Sequence, residues 1–185
     1  MRHALAAALL TSLLGAAAAA EPFALDPART RLGFHADTIV VGVDGTFSKY
    51  KAELSADPQT LGNARASLTI EAASVASGYD MRDDHIRSRD LLDVKRYPRI
   101  TFTSQRVERK GDQLLVTGAL QLHGVRKTLT IPFTATRGKV PGEWELRGSA
   151  TIDRRDFHVG VESVIKEKAI KDAIRLDLTL VGAFK

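Results

Sequence analysis

The sequence predicts an all-β domain whose antiparallel strands, about eight in number, close into an up-and-down barrel with one short helical insertion. Three observations support this prediction. Apolar and polar residues alternate with a period of two through most of the chain, which is typical of half-buried strands. Short turns join the alternating segments, without the helix-length connections of a βαβ pattern. In residues 79–93 the alternation stops, and apolar residues recur at a spacing closer to one face of a helix.

In the first half of the chain, three alternating segments (residues 32–36, 47–56 and 64–73) are predicted strands. Their shared apolar face carries Leu32, Phe34, Ala36, Tyr50, Ala52, Leu54, Ala66, Leu68, Ile70 and Ala72. Residues 23–27 are expected to lead into the first strand. Residues 39–43 are continuously apolar, and the glycines around them indicate a bend or bulge.

In the second half of the chain, further strands are predicted on either side of the turns at residues 109–112, 123–126 and 141–142. Their shared apolar face carries Ile100, Phe102, Leu114, Val116, Gly118, Leu120, Leu122, Leu129, Ile131, Phe133, Ala135, Trp144, Leu146, Gly148, Ala150, Ile152, Ile174, Leu176, Leu178 and Leu180. Residues 154–172 are expected to form a loop, with residues 162–169 either a short helix or a mobile segment.

Sequential antiparallel strands of this number either stack as a sandwich or close as a barrel. The predicted inward faces mix large residues with many alanines and glycines. Small inward residues leave space at the centre of a barrel, so we favour a barrel with an elongated apolar cavity. The alternative is a packed barrel in which the small residues fit the taper.

Residues 1–20 are predicted to be a secretory signal peptide, and residues 21–185 a single folded domain. A basic start, an apolar run and three small residues before Glu21 place the expected cleavage near Ala20/Glu21. A retained anchor is the alternative. The chain contains no cysteine, which excludes thiol catalysis and thiolate metal sites. Its net charge of +5 comes from interspersed acids and bases, so no nucleic-acid partner is expected.

Groups that could carry catalysis are sparse. No pair of histidines has a metal-binding spacing, no serine lies in a GxSxG motif, and no Gly-rich phosphate loop is present. We therefore expect no enzyme, metal or cofactor. Arg82, Asp83 and His85 lie within one turn of the insertion, where they are expected to bond one another, cap the helix and fix it to the barrel. Alternatively, His85 or Arg82 contacts the polar head group of a ligand.

Several motifs, kept in order along the chain, resemble the signature of the YceI-like family. They are SVASG at residues 74–78, RDDHIRSRD at 82–90, YPRITFTS at 97–104, GALQLHGVRK at 118–127 and RRDF at 154–157, with Asp26-Pro27 and GTFSKY at 45–50. The resemblance implies a lipocalin-like, eight-stranded barrel that binds polyisoprenoid or other long amphiphilic lipids in the periplasm, without a catalytic centre. Ile86 stands where the family usually has Leu, and Leu91-Leu92 where it usually has a Phe pair, so the insertion should still be apolar underneath.

We therefore expect a periplasmic protein that sequesters or transports an isoprenoid quinone or polyprenyl lipid, with transient contact to a membrane surface or membrane protein. The predicted pocket is lined by Phe34, Tyr50, Leu68, Ile70, Phe102, Leu120, Phe133, Trp144, Leu176 and Leu178, with Ile86, Leu91 and Leu92 on the lid and His85 at the mouth. Trp144 is either a ligand platform or core. Two other functions stay open: an exported stress or adhesion-type barrel acting through a surface partner, and an enzyme using His85 with Asp83.

Overall fold

The computed structural model describes residues 20–161 and 170–184. Within those ranges the chain forms eleven strand segments, one α-helix and two 3-10 turns. The strands are β1 (Glu21–Leu25), β2 (Arg31–Thr38), β3 (Gly42–Phe47), β4 (Tyr50–Ala56), β5 (Arg65–Glu71), β6 (Val75–Ala76), β7 (Arg99–Lys110), β8 (Gln113–Leu122), β9 (Val125–Arg137), β10 (Glu143–Asp153) and β11 (Ile170–Phe184). The helix α1 is Asp80–Arg87, and the 3-10 turns are Ala72–Ser74 and Arg154–Phe157.

All the strands belong to one antiparallel sheet that closes on itself. The sheet runs β1-β4-β5-β7-β8-β9-β10-β11, and β11 returns to β1 through the pair Phe23↔Phe184. Three segments continue barrel strands: β2 continues β1, β3 continues into β4, and β6 continues β5. In this part of the barrel β2 pairs with the first half of β11, β3 pairs with β2, and β6 pairs with β3. The described segments therefore make eight barrel strands, which confirms the predicted fold.

Three interruptions divide long barrel strands into these segments, the third being the 3-10 turn Ala72–Ser74 between β5 and β6. Between β1 and β2 the chain turns at Asp26, whose carboxylate accepts a hydrogen bond from the Ala28 N–H at 3.0 Å. Between β3 and β4, the hydroxyl of Ser74 accepts from the Lys49 N–H at 3.1 Å and supports the break. Residues 23–25, expected only to lead in, belong to β1 and close the barrel; their short segment between Pro22 and Pro27 shows too little alternation to reveal a strand.

The bend expected around residues 39–43 is a hairpin turn that leads into β3. Residues 39–41 are the exposed tip of the β2–β3 hairpin, and the strand begins only at Gly42. The tip is closed by Thr38, whose hydroxyl accepts hydrogen bonds from the N–H groups of Val40 and Val41. A side chain that caps a turn stops the strand, although the apolar composition favours one.

The barrel has two distinct ends. α1, the β2–β3 tip and the start of β11 lie at one end, which we call the lid end. The β9–β10 loop and the start of β1 lie at the other. Residues 1–19 of the predicted signal peptide and residues 162–169, predicted to be a short helix or a mobile segment, lie outside the described ranges. No helix within the described ranges is long and apolar enough to cross a membrane.

Candidate functional site

Two adjoining chambers lie along the inside of the barrel. The inner chamber has a volume of about 190 Å³ and is walled almost entirely by aliphatic and aromatic side chains. Seven predicted pocket residues line it: Leu68, Ile70, Phe102, Leu120, Phe133, Leu176 and Leu178. They come from β5, β7, β8, β9 and β11, so nearly the whole circumference contributes to one apolar wall.

The outer chamber, of about 470 Å³, lies beneath α1 at the lid end. The other five predicted residues that line a chamber are here: Phe34, His85, Ile86, Leu91 and Leu92. Phe47 and Ile100 contribute to the walls of both chambers, which therefore meet at these two side chains. Small-molecule sites usually fall between about 300 and 1,000 Å³, so the outer chamber alone is large enough for a ligand.

Two predicted pocket residues line neither chamber. Trp144 is buried at the other end of the barrel, where its indole N–H donates to the carbonyl of Pro58 at 3.3 Å and Arg137 lies 4.0 Å over its ring. Of the two roles considered for Trp144, the structure therefore supports a core residue rather than a ligand platform. Tyr50 packs against the core from β4, and its buried hydroxyl has no hydrogen-bond partner in the described part of the chain.

Three phenylalanine rings lie flat against the barrel wall because the residue beside each ring is glycine. The pairs are Phe34 with Gly45, Phe102 with Gly118 and Phe133 with Gly148. A Cβ at Gly148 would stand 2.5 Å from the Phe133 ring, which is closer than a Cβ approaches a non-bonded carbon atom. The glycines thus accommodate rings that would otherwise project into the bore.

The first half of α1 is fixed to the segment that precedes it. Asp83, which is buried, accepts hydrogen bonds from the N–H of Ser77 at 2.8 Å and from the Ser77 hydroxyl. Arg82 donates to the Ser77 hydroxyl and to its carbonyl, each at 2.7 Å. Arg82 and Asp83 therefore hold the helix, but through Ser77. The predicted cap does not form, since the helix starts after Tyr79 without a side-chain hydrogen bond.

The second half of α1 is fixed by Arg87, which the sequence reasoning missed. Its guanidinium donates to the carbonyls of Ala73 at 2.9 Å and Val75 at 2.7 Å, and to the carboxylate of Asp84 at 3.0 Å. Arg87 lies one turn after Asp83, so both side chains point to the same neighbouring segment. That spacing is the signal from which its role could have been inferred.

His85 stands apart from this network, on the wall of the outer chamber. Within the described residues its ring makes no hydrogen bond, and its backbone carbonyl accepts from the N–H and hydroxyl of Ser88. The Asp83 carboxylate is directed to Ser77 instead. The expected bonding of His85 with Arg82 and Asp83 is therefore wrong, and the acid–base pair of the enzyme hypothesis is not assembled.

Arg154 is a second cationic group on the wall of the outer chamber, and it is buried. Its guanidinium donates to the carbonyls of Val159 at 2.9 Å, Gly160 at 3.1 Å and Ile170 at 3.1 Å, and to the Asp172 carboxylate at 2.9 Å. It thus joins the chain just before residue 161 to the start of β11. Sequence reasoning noted Arg154 only as part of a motif, because its partners become neighbours only in the folded chain.

The hairpin below the exposed tip carries a charged cluster. His35 on β2 lies opposite Asp44 on β3, with 2.8 Å between its Nδ1 and the carboxylate, and its Nε2 is 3.3 Å from Asp37. Hydrogen bonds to Asp44 and then to Asp37 raise the pKa of His35 above its ordinary value. The hydrogen bond with His35 and the nearby charge of Lys171 lower the pKa of Asp37. The described residues contain no group of three or more His, Cys, Asp or Glu side chains suited to a metal ion.

Comparison with known proteins identifies the family. Residues 23–182 match the model of the YceI-like domain. The chain belongs to the YceI-like family. A UPF0312 protein of Pseudomonas putida is 36% identical over 145 residues, which cover 76% of this chain and 73% of that protein. Protein YceI of Escherichia coli O6:H1 is 38% identical over 87 residues; this match covers 47% of this chain and 46%, less than half, of that protein.

Solved structures agree with the barrel. BcnA of Burkholderia cenocepacia has a TM-score of 0.79 at 28% identity, covering 85% of this chain and 99% of that one. A YceI protein of Campylobacter jejuni has a TM-score of 0.70 at 26% identity, covering 80% and 89%. A Saccharophagus degradans protein, described as a polyisoprenoid binding domain implicated in plant cell wall breakdown, has a TM-score of 0.67 and covers 89% and 99%. At 20% identity, this last likeness shows the fold alone.

Proposed function

We propose that this YceI-like protein binds a long isoprenoid lipid, a polyprenyl lipid or isoprenoid quinone, inside the barrel and sequesters or transports it. The observation that carries the proposal is the division of the bore. Both chambers have almost wholly apolar walls, but three cationic or titratable side chains, Arg82, His85 and Arg154, border the outer chamber, against one, Arg65, at the inner chamber. A ligand that fits both has a long apolar tail and a polar head.

The orientation of the ligand follows from the same division. The tail passes Phe47 and Ile100 into the inner chamber, and the head stays beneath α1. There the ring of His85, which no described residue engages, and the guanidinium of Arg82 offer hydrogen bonds to an oxygen-bearing head group. The guanidinium of Arg154 already donates hydrogen bonds to four acceptors of the chain. It therefore contributes positive charge to head-group binding rather than a direct hydrogen bond.

The energetics suit a carrier. Each buried CH₂ group contributes about 0.8 kcal/mol relative to water, so an isoprenoid tail strongly prefers the bore to solvent. The same tail is already shielded in a bilayer, and its transfer from bilayer to protein therefore changes the free energy little. The function of the barrel is to shield the tail in transit. The two chambers favour this function over a packed barrel that acts only through its surface.

Three further parts of the proposal concern context. The protein acts in the periplasm, after residues 1–20 direct export and are removed near Ala20/Glu21, which leaves residues 21–185 as the functional domain. It acts by binding rather than catalysis, in keeping with Asp83 being directed to Ser77 and not to His85. It also makes transient contact with a membrane, where such lipids reside. The Saccharophagus degradans protein, a polyisoprenoid binding domain by its description, supports the ligand class.

The test is organic extraction and mass spectrometry of protein purified from its native compartment. We expect one isoprenoid lipid per chain. Ala66→Phe, which adds a ring to the inner chamber, should reduce the yield of lipid, because Ala66 lines that chamber from β5. Ser67→Phe, on the outward face of the same strand, is the matched control and should retain the lipid. Protein that is empty after purification and takes up no polyprenyl lipid on incubation would refute the proposal.

A further inference from the structure

The tip of the β2–β3 hairpin exposes three consecutive apolar side chains beside the outer chamber. Ile39, Val40 and Val41 are 75%, 81% and 55% exposed. Ile39 and Val40 also contribute to the chamber wall, so the tip forms part of its rim. A cluster of large apolar side chains held in water is costly and commonly marks a surface that binds something.

Much of the backbone of this tip is hydrogen-bonded within the turn. The N–H groups of Val40 and Val41 donate to the Thr38 hydroxyl at 3.1 and 3.0 Å. The Thr38 N–H and hydroxyl in turn donate to the Val41 carbonyl at 3.0 and 2.8 Å. These four backbone groups, the N–H groups of Thr38, Val40 and Val41 and the Val41 carbonyl, can leave water without the penalty that an unpaired group incurs.

A second set of exposed apolar residues lies at the start of α1. Tyr79 and Met81 are largely exposed, and the same helix lines the outer chamber through Ile86. The two elements that frame the chamber therefore both present apolar side chains to the outside. Arg82 lies 5.9 Å over the Tyr79 ring and places a cation beside this set. The net charge of the chain, +5, is complementary to an anionic surface and stays positive when the single cation of residues 1–20, Arg2, is removed.

We propose that the rim patch (Ile39, Val40, Val41, Tyr79 and Met81) inserts into the surface of a phospholipid bilayer that contains anionic lipids. The proposal rests on the proposed function, because a tail moving between a bilayer and the outer chamber stays out of water only if the chamber opens against the bilayer. A bilayer fits the patch better than a second copy of the chain. Stable protein interfaces use roughly 20–30 residues a side, whereas a few apolar side chains suffice for interfacial attachment.

The experiment is flotation with vesicles of phosphatidylethanolamine and a minority of phosphatidylglycerol. The wild-type protein should float with the vesicles. The double variant Ile39→Ser/Val40→Ser should bind the vesicles at least about tenfold more weakly, because two apolar side chains no longer enter the interface. A matched pair refines the test. Val41→Ser should weaken binding, whereas Val140→Ser, equally exposed at 55% but on the β9–β10 loop at the opposite end, should leave it unchanged.

A parallel assay separates docking from cargo binding. Val41→Ser and Val140→Ser, whose side chains line neither chamber, are each offered a polyprenyl lipid dispersed in detergent, without a bilayer, and should take it up as the wild type does. Wild-type protein that takes up this lipid but does not float overturns the docking proposal alone, as does an Ile39→Ser/Val40→Ser variant that floats normally. Protein that floats through its rim patch yet takes up no lipid overturns the proposed function and leaves docking standing. Self-association that disappears in Val41→Ser would make the patch a protein interface and also overturn docking.

Discussion

Arg154 shows how one buried side chain joins residues 159–160 to the start of β11. The residue is 2% exposed, and its guanidinium joins the carbonyls of Val159, Gly160 and Ile170 to the carboxylate of Asp172. Removing a buried, hydrogen-bonded charge leaves its partners desolvated without compensation. The outer chamber therefore depends on this residue for the shape of one wall, in addition to its charge.

Arg154→Met should lower the free energy of unfolding by about 3 kcal/mol or more, because Met fills the space but satisfies none of these acceptors. Denaturant titration measures the change. Arg155→Met is the matched control: Arg155 is 52% exposed and pairs with Asp153 and Asp172 at the surface, so its loss should cost no more than about 1 kcal/mol. Equal effects of the two substitutions would contradict the role given to Arg154.

His35 makes the hairpin below the rim patch sensitive to pH. Its pKa is raised by Asp44 and Asp37, while Arg175 opposes the rise and Lys171 engages Asp37 at 3.5 Å. A raised pKa in the folded state means that the protonated form stabilises the fold. This stabilisation is complete below the ordinary histidine pKa of about 6.5 and is lost as the pH rises through the higher folded value.

We expect the stability difference between wild type and His35→Gln to be largest in mild acid and to shrink above neutral pH. Denaturant midpoints of both proteins across this range measure it, and the comparison cancels the titration of the other histidines. Asp44→Asn, which removes the first cause of the raised pKa, should flatten the profile in the same way. A difference that does not vary with pH would exclude this cluster as the pH-dependent element.

At the scale of the element, the pairing of glycine with phenylalanine determines how much of the bore stays open. Phe133 on β9 lies directly opposite Gly148 on β10, and Phe34 on β2 opposite Gly45 on β3. The alternation correctly placed Gly148 and Phe133 on the inward face. It could not show that the ring occupies the space above the glycine, since alternation gives the face of a residue and not the direction of its neighbour's ring.

Gly148→Ala should push the Phe133 ring into the inner chamber, with a loss of about 1–3 kcal/mol in stability and reduced lipid uptake. Thermal or denaturant unfolding and uptake from detergent are the two measurements. Adding Phe133→Leu should restore part of both, because the smaller side chain can move aside. Ser149→Ala, on the outward face of β10, is the control and should affect neither measurement strongly. Unchanged uptake in Gly148→Ala would show that the ring does not border the ligand.

The helix α1 is held to the segment that precedes it by the side chains of Arg82, Asp83 and Arg87. Asp83→Ala removes the buried acceptor for two donors of Ser77 and should cost about 1–3 kcal/mol of local stability. We expect faster amide hydrogen exchange in α1 and faster release of bound lipid. Asp84→Ala, an exposed residue of the same helix that pairs with Arg87, should change both rates much less. Identical rates in the two variants would contradict the role of the Ser77 contact.

At the scale of the whole molecule, the barrel architecture could be predicted from the sequence, but the structure of the barrel's ends could not. Long alternating segments predicted the inward faces correctly because burial repeats every second residue in a strand. The exposed tip at residues 39–41 and the strand β1 were not predicted, since a Thr38 turn and a five-residue strand leave little periodic signal. The partners of Arg154 are set by tertiary folding alone. The chamber boundary at Phe47 and Ile100 likewise depends on packing rather than on pattern.

The barrel encloses one bore that is divided into two chambers with different surroundings. Its eight strands form the wall, and under the proposed function the inner chamber takes the tail while the outer chamber and α1 hold the head group. This arrangement makes the length of the tail the decisive property of a ligand. A head group recognised only at the surface would make tail length irrelevant.

The most direct test measures binding of a series of prenyl lipids that share a head group and differ in tail length, each offered from detergent. We predict one lipid per chain and an affinity that rises with tail length until both chambers are filled, then levels off. In Ala66→Phe the affinity should level off at a shorter tail, because the added ring shortens the inner chamber. An affinity independent of tail length, or the same length limit in Ala66→Phe, would contradict this account.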